Sequence, residues 1–263
     1  MLTKIIVTVI TVLTLISCAT SPLGRKQLAF MPDDELVQMG SKAFTNLKQE
    51  TKLETSSQVK RYVNCVTQPI IKVSNSPIKW EVAVFRDNSA NAFALPGGKV
   101  GVHTGMLKVA ENQHQLAAVI GHEIAHVLAD HSNERVSQEF ALQQGMALVQ
   151  ALGNVQSESG QMLMGLLGVG AQVGILLPYS RVHESEADEM GLYFIAQAGF
   201  DPKESTRLWQ NMSKGSGDSA PPEFLSTHPS HDTRIARLNQ AMPRAIQLYN
   251  QARANGKNPH CRY

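Results

Sequence analysis

Apolar side chains recur along this chain with two different periods, and the switches between them mark out its elements. Pro32-Asp33-Asp34-Glu35 opens a helix with acids in its first turn, where the helix dipole favours them, and the helical pattern runs to about Lys48. From Ser56 to Val73 a second helix carries Val59, Tyr62, Val63, Val66 and Ile70 on one stripe. The period then shortens to two: Ile78 to Val84 alternates apolar and polar residues as a strand does. Asn91-Ala92-Phe93-Ala94-Leu95, the turn signal Pro96-Gly97-Gly98 and Lys99-Val100-Gly101-Val102-His103 read as a hairpin. Helical spacing returns from Gln113 to His131, where Leu116, Ala117, Ile120, Ile124, Val127 and Leu128 form the buried stripe. Further helices are expected at Glu134 to Leu152, from Arg181 up to Gly199, from Asp201-Pro202 with Leu208 and Trp209 as anchors, and from the cap Asp232 through Ala241. Lys214 to Pro222 is a glycine, serine and proline linker. The expected class is α+β, mostly helical, with a small sheet or hairpin beside the Gln113 helix.

Two stretches are apolar without a period. The first, Ile5 to Ile16, follows a short positive start and ends at Ser17-Cys18, so residues 1–17 read as a signal peptide. Twelve residues are too few to span a bilayer, which takes about 20. Leu15-Ile16-Ser17-Cys18 resembles a bacterial lipobox, which implies lipid on Cys18, and an ordinary secretory signal is the alternative. Ala19 stands where inner-membrane lipoproteins typically carry Asp, which points to the outer membrane, facing the periplasm. Residues 18–30 then form a tether, and 31–263 a single domain.

Composition narrows the classes. With 263 residues, 43% hydrophobic and 17% charged, the chain is able to bury a full core. A net charge of +2 without a lysine and arginine cluster argues against nucleic acid as a partner. If Cys18 is lipidated, Cys65 and Cys261 remain in a compartment that permits disulfides. A bridge between them would tie the first helices to the C-terminal tail; two buried free thiols are the alternative.

The chemistry gathers at Gly121-His122-Glu123-Ile124-Ala125-His126. His122 and His126 lie one helical turn apart on one face, so two imidazole nitrogens reach one metal ion. Glu123 lies about 100° round the helix, beside the metal and not on it, where a general base for an activated water belongs. This is a zinc metalloprotease signature. His131, nine positions after His122, lies about 180° away on a continuous helix and reads as a C-terminal residue that favours the helix dipole. The third ligand therefore comes from elsewhere, and Arg181-Val182-His183-Glu184-Ser185-Glu186-Ala187-Asp188 supplies it. Glu184 and Asp188 share a face four positions apart while Glu186 points away. Glu184 completes a two-histidine, one-carboxylate set for one Zn2+ per chain, and Asp188 accepts the free ring N–H of a ligand histidine.

These three motifs, with the Asn91 to Gly98 stretch upstream, resemble the HtpX and Oma-type family of zinc metallopeptidases over roughly Met31 to Ala241. The resemblance implies a zincin-like metallopeptidase whose first acid in Glu-x-x-x-Asp, here Glu184, binds zinc. It also implies an endopeptidase of misfolded or stalled envelope proteins. Bacterial periplasmic members of the family include lipoproteins. A Thr-His-Pro segment followed by an arginine lies near the active site in this family, which falls here on Thr227, His228, Pro229 and Arg234. His228 either fills the open zinc position in a latent state, hydrogen-bonds an oxyanion, or packs as a loop histidine; His231 is the weaker candidate. Asn91, Ala92, Phe93 and Ala94 are the expected substrate-binding residues, an extended peptide adding to the hairpin edge, unless the hairpin only completes the core.

The second aperiodic stretch, 159–180, is uncharged and long enough to raise a membrane span. A single crossing there would separate Glu184 from His122 and His126, so a buried helix or a glycine-hinged lid is expected instead. A chaperone-like outer-membrane assembly factor with a latent zinc site is the alternative function. An exopeptidase would need a charged pocket for a substrate terminus, and no motif identifies one.

Overall fold

A computed structural model describes residues 18–152, 179–214, 223–228 and 233–263. The segment expected as a signal peptide, most of the apolar stretch 159–180 with its lid reading, and the 215–222 linker lie outside the described residues. The chain is mostly helical with small sheets, and it divides into two compact units, 1–33 with 132–177 and 34–131 with 178–263. Among the described residues no helix is long and apolar enough to cross a membrane.

In the first unit the residues expected as a tether pair with one another. β1 (Cys18–Thr20) runs antiparallel to β2 (Lys26–Leu28), with Ala19 opposite Gln27, around a turn in which Gly24 takes φ 87°. Arg25 then grips Glu134 with both guanidinium nitrogens, at 2.8 and 2.6 Å. The Phe30 N–H donates to Ser137 Oγ and the Met31 N–H to Asn133 Oδ1.

The second unit begins with α1 (Asp33–Glu50) and α2 (Ser57–Ser74). α2 starts where Ser56 accepts the Val59 N–H, buries Tyr62, Val63, Val66 and Ile70, and continues through Pro69. β3 (Glu81–Phe85), β4 (Ala92–Leu95) and β5 (Lys99–His103) form a mixed sheet in the order β3-β5-β4, with β3 parallel and β4 antiparallel to β5. Gly97 and Gly98 take φ 79° and 75° in the turn between β4 and β5, a region that disfavours side chains. β4 is thus an edge strand. The His103 N–H donates to the Asn91 carbonyl, so alternation along the ladder turns the backbone of Ala92 and Ala94 to the outer edge.

After the short α3 (Met106–Val109), α4 (Gln113–Leu128) starts where the Asn112 side chain accepts the N–H groups of His114 and Gln115. At His131 the chain enters α5 (His131–Leu152), whose residues from Ser132 on belong to the first unit. α6 (Arg181–Ala198) is capped by Ser180, which accepts the His183 N–H, and stops at Gly199 with φ 90°. α7 (Lys203–Lys214), α8 (Glu223–Thr227) and α9 (Thr233–Ala254) complete the second unit. α4 and α6 meet backbone to backbone at Gly121 and Gly191. A Cβ on Gly191 would stand 2.8 Å from the His122 nitrogen, and one on Gly121 would stand 2.7 Å from Ile195. A methyl at either site forces the two helices apart, at a cost of about 1–3 kcal/mol.

Cys65 on α2 and Cys261 in the tail are disulfide-bonded, with their Cα atoms 5.6 Å apart. The tail also clasps the first turn of α4: Gln113 donates to the Pro259 carbonyl at 2.9 Å and accepts the Cys261 N–H at 2.7 Å.

Candidate metal centre

α4 brings His122, Glu123 and His126 to its buried face, and α6 sets Glu184 and Asp188 against them. His122 Nε2 lies 3.0 Å from His126 Nε2 and 3.4 Å from Glu184 Oε2, and His126 Nε2 lies 3.4 Å from Glu184 Oε1. α8 leads into His228, whose Nδ1 lies 3.2 Å from His122 Nε2 and 3.0 Å from Glu184 Oε1. One donor atom from each of His122, His126, Glu184 and His228 lies within 4.8 Å of all the others.

These spacings test the fit of a metal. Ligands at about 2.0–2.1 Å from a tetrahedral zinc stand about 3.3 Å from one another. The observed separations of 3.0 to 3.4 Å are close to that spacing. Glu184 is fully buried, with Oε2 facing Arg234 and His122 and Oε1 facing His126 and His228. Three imidazoles and a buried carboxylate are a donor set whose chemistry suits zinc.

Glu123 stands beside this cluster. Its Oε2 accepts the Ala94 N–H of the edge strand at 3.2 Å, while Oε1 makes no hydrogen bond and lies 3.5 Å from His228 Nε2. Burial pushes its carboxyl above the ordinary value, an effect that the charges of His228 and His122 only partly offset. The ring of His228 stacks on Phe224, and the Phe224 N–H donates to the Ala90 carbonyl, so α8 is pinned at the approach to the edge strand.

Behind His122 the site is heavily charged. Asp188 Oδ1 lies 3.0 Å from His122 Nδ1, and Arg234 on α9 holds both Asp188 oxygens, with Nε 2.6 Å from Oδ2 and Nη2 donating to Oδ1 at 2.7 Å. Arg234 Nη1 also lies 2.9 Å from Glu184 Oε2, and the guanidinium lies over the Trp209 ring at 3.4 Å. Burial and the Arg234 charge oppose a proton on His122, but Asp188 and Glu184 outweigh them and lift its pKa to about 9. Burial likewise favours the neutral form of Glu184, yet hydrogen bonds and charge from His122, with further hydrogen bonds from His126 and His228, hold its carboxyl far below the usual range. Burial holds His126 well below its ordinary value.

The structure therefore brings together His122, Glu123, His126, Glu184, Asp188, His228 and Arg234, and places Ala94 of the edge strand against Glu123. The Phe93 side chain is elsewhere, packed against Phe44, Phe85 and His103. The Thr227 side chain, Pro229 and His231 lie outside the described residues. His131 differs from expectation. The α4 helix ends at Leu128, Asp130 turns the chain with φ 54°, and His131 starts α5. The 180° rotation assumed one continuous helix, and the break resets it. His131 Nδ1 comes to 2.9 Å from His126 Nδ1, and its Nε2 to 3.1 Å from Glu186 Oε2. Both residues do face away from the metal cluster, and they meet each other behind His126.

Several known proteins resemble this chain. The mitochondrial metalloendopeptidase OMA1 of Schizosaccharomyces pombe is 41% identical over 186 residues, covering 70% of this chain and 53% of the relative. OMA1 of Homo sapiens is 35% identical over 179 residues, covering 66% and 34%. The beta-barrel assembly-enhancing protease of Escherichia coli is 28% identical over 222 residues, covering 80% and 45%. The chain spans about half the length, or less, of these curated relatives. Residues 57–242 match the model of peptidase family M48, a span that holds His122, Glu123, His126, Glu184, Asp188, His228 and Arg234, and the chain belongs to that family.

Proposed function

We propose that the protein is a zinc-dependent endopeptidase in which His122, His126 and Glu184 hold the metal and Glu123 is the general base. The observation that carries this reading is the buried Glu123 carboxyl, with Oε1 making no hydrogen bond beside that donor set. Zinc, when bound, supplies Lewis-acid polarisation of a carbonyl and activation of water near neutral pH. Glu123 Oε1 takes the proton of that water and hands it to the leaving amine, a shuttle favoured by a carboxyl whose pKa is raised by burial. Asp188 orients His122, and Arg234 neutralises the carboxylates behind it. Within the Asn91 to Ala94 stretch, the outward-facing backbone of Ala92 and Ala94 takes an extended peptide as an added strand beside Glu123, which in this structure accepts the Ala94 N–H.

The relatives' printed names, a mitochondrial metalloendopeptidase and a beta-barrel assembly-enhancing protease, support unfolded or misassembled envelope proteins as substrates. The Cys65–Cys261 disulfide supports an extracytoplasmic location, with lipid on Cys18 as the anchor, at the outer membrane on the periplasmic side. His228 adds a fourth donor beside His122 and Glu184 and all four donors are buried, which supports a closed resting form in which His228 would occupy the remaining metal position and, as the second reading, a chaperone-like assembly factor with a latent site.

Digestion of an unfolded protein, with metal analysis, tests the mechanism. Glu123→Gln is expected to keep about one zinc per chain and to lose proteolysis by about 100-fold or more. Undiminished cleavage by that variant sinks the mechanism; rescue of a membrane-integrity defect by it selects the chaperone-like reading.

A further inference from the structure

His131 and Glu186 are both buried, and neither takes part in the chemistry above. Their place becomes clear from where each ligand histidine keeps its proton. His122 and His126 both present Nε2 to the donor cluster, so with a metal in place each carries its hydrogen on Nδ1. For His122 the partner of that hydrogen is a carboxylate, Asp188 Oδ1 at 3.0 Å. For His126 it is another imidazole, His131 Nδ1 at 2.9 Å.

One proton arrangement satisfies this second contact. His126 Nδ1–H donates, so His131 Nδ1 accepts; His131 must then carry its hydrogen on Nε2, and that nitrogen lies 3.1 Å from Glu186 Oε2, an acceptor. The opposite tautomer of His131 would set two N–H groups face to face at 2.9 Å and turn the Nε2 lone pair against Glu186 Oε2. The rings are held against rotation as well. His131 stacks on His183 with centroids 4.6 Å apart, and Tyr179 stacks on His126 at 4.0 Å.

We propose that His131 and Glu186 are positioning residues that fix the tautomer and ring orientation of His126, a relay that sets the strength of one zinc ligand through an intervening imidazole. The inference rests on the zinc-site reading given above. It is tested on the full chain by zinc affinity, from competition with a chromophoric chelator, and by the visible absorption spectrum of the cobalt-substituted protein. His131→Phe fills the space without accepting a hydrogen bond, and it is expected to weaken zinc binding about 10–100-fold and to shift the cobalt bands. His131→Asn keeps an acceptor near the position of Nδ1, and it is expected to restore both readouts most of the way. Glu186→Ala leaves the His126 contact intact, and it is expected to move the cobalt bands in the same direction by less. Wild-type affinity and spectrum in His131→Phe, or equal losses in His131→Asn and His131→Phe, overturn the relay. A wild-type protein that takes up no zinc overturns the underlying site instead, so the two failures are told apart.

Discussion

Three of the four donors ride on two long helices, and the fourth does not. His122, His126 and Glu184 stand on α4 and α6, of 16 and 18 residues, which touch at paired glycines and are each capped by a side chain. His228 follows α8, five residues long, whose ties to its surroundings include the Phe224 N–H and the rings of Phe224 and Trp209. Helical packing fixes the first three donors before any metal arrives, which is what a catalytic site needs from its permanent ligands. A donor on a short segment is separable from the rest. On the proposed reading, the contrast divides the cluster into a three-residue metal holder and an occupant of the position that a reacting group would need.

The largest effect expected from that division is at Glu184. Replacing it with Ala removes a buried carboxylate from between three imidazoles and leaves Arg234 with Asp188 alone, so the protein should lose its zinc and about 3–5 kcal/mol of stability, measured by metal analysis and urea unfolding. Full zinc content in Glu184→Ala breaks the division. Next comes pH. His122 keeps its extra proton up to about pH 9, and a metal ion must displace it, so affinity is highest above that value and is lost as the pH falls, by about tenfold per unit between 9 and 7. Chelator competition across that range measures the slope, and a flat profile contradicts the assigned partners of His122. The smallest effect on metal is expected at His228. His228→Ala should bind zinc within about tenfold of wild type and cleave an unfolded substrate several-fold faster, because the fourth position is then open. If it loses as much zinc as Glu184→Ala, His228 belongs to the permanent set.

How much of this was legible depends on whether one element encodes the geometry. His122, Glu123 and His126 occupy a single turn of α4, and Glu184 and Asp188 a single turn of α6, so helical spacing alone relates them. Arg234 and His228 came from resemblance, since no local rule connects the start of α9 to α4. His131 departs from the continuous-helix reading because Asp130, at φ 54°, ends α4 and resets the direction of the chain, whereas Glu186 faces away from Glu184 and Asp188 as its helical spacing implies. The last helix, expected to end at Ala241, runs on through Pro243 to Ala254 with Leu238 and Ala245 buried and its side against α6. Packing there outweighs the lost N–H, as it does at Pro69 in α2.

The bond between Cys65 and Cys261 joins positions 196 residues apart, and every proposed ligand lies in the ring of chain between them. A cut anywhere in that ring, by another protease or by a second copy of this chain, opens the loop without freeing either piece. The molecule thus survives a first nick as one covalent body, and only reduction of a single sulfur pair lets its halves part.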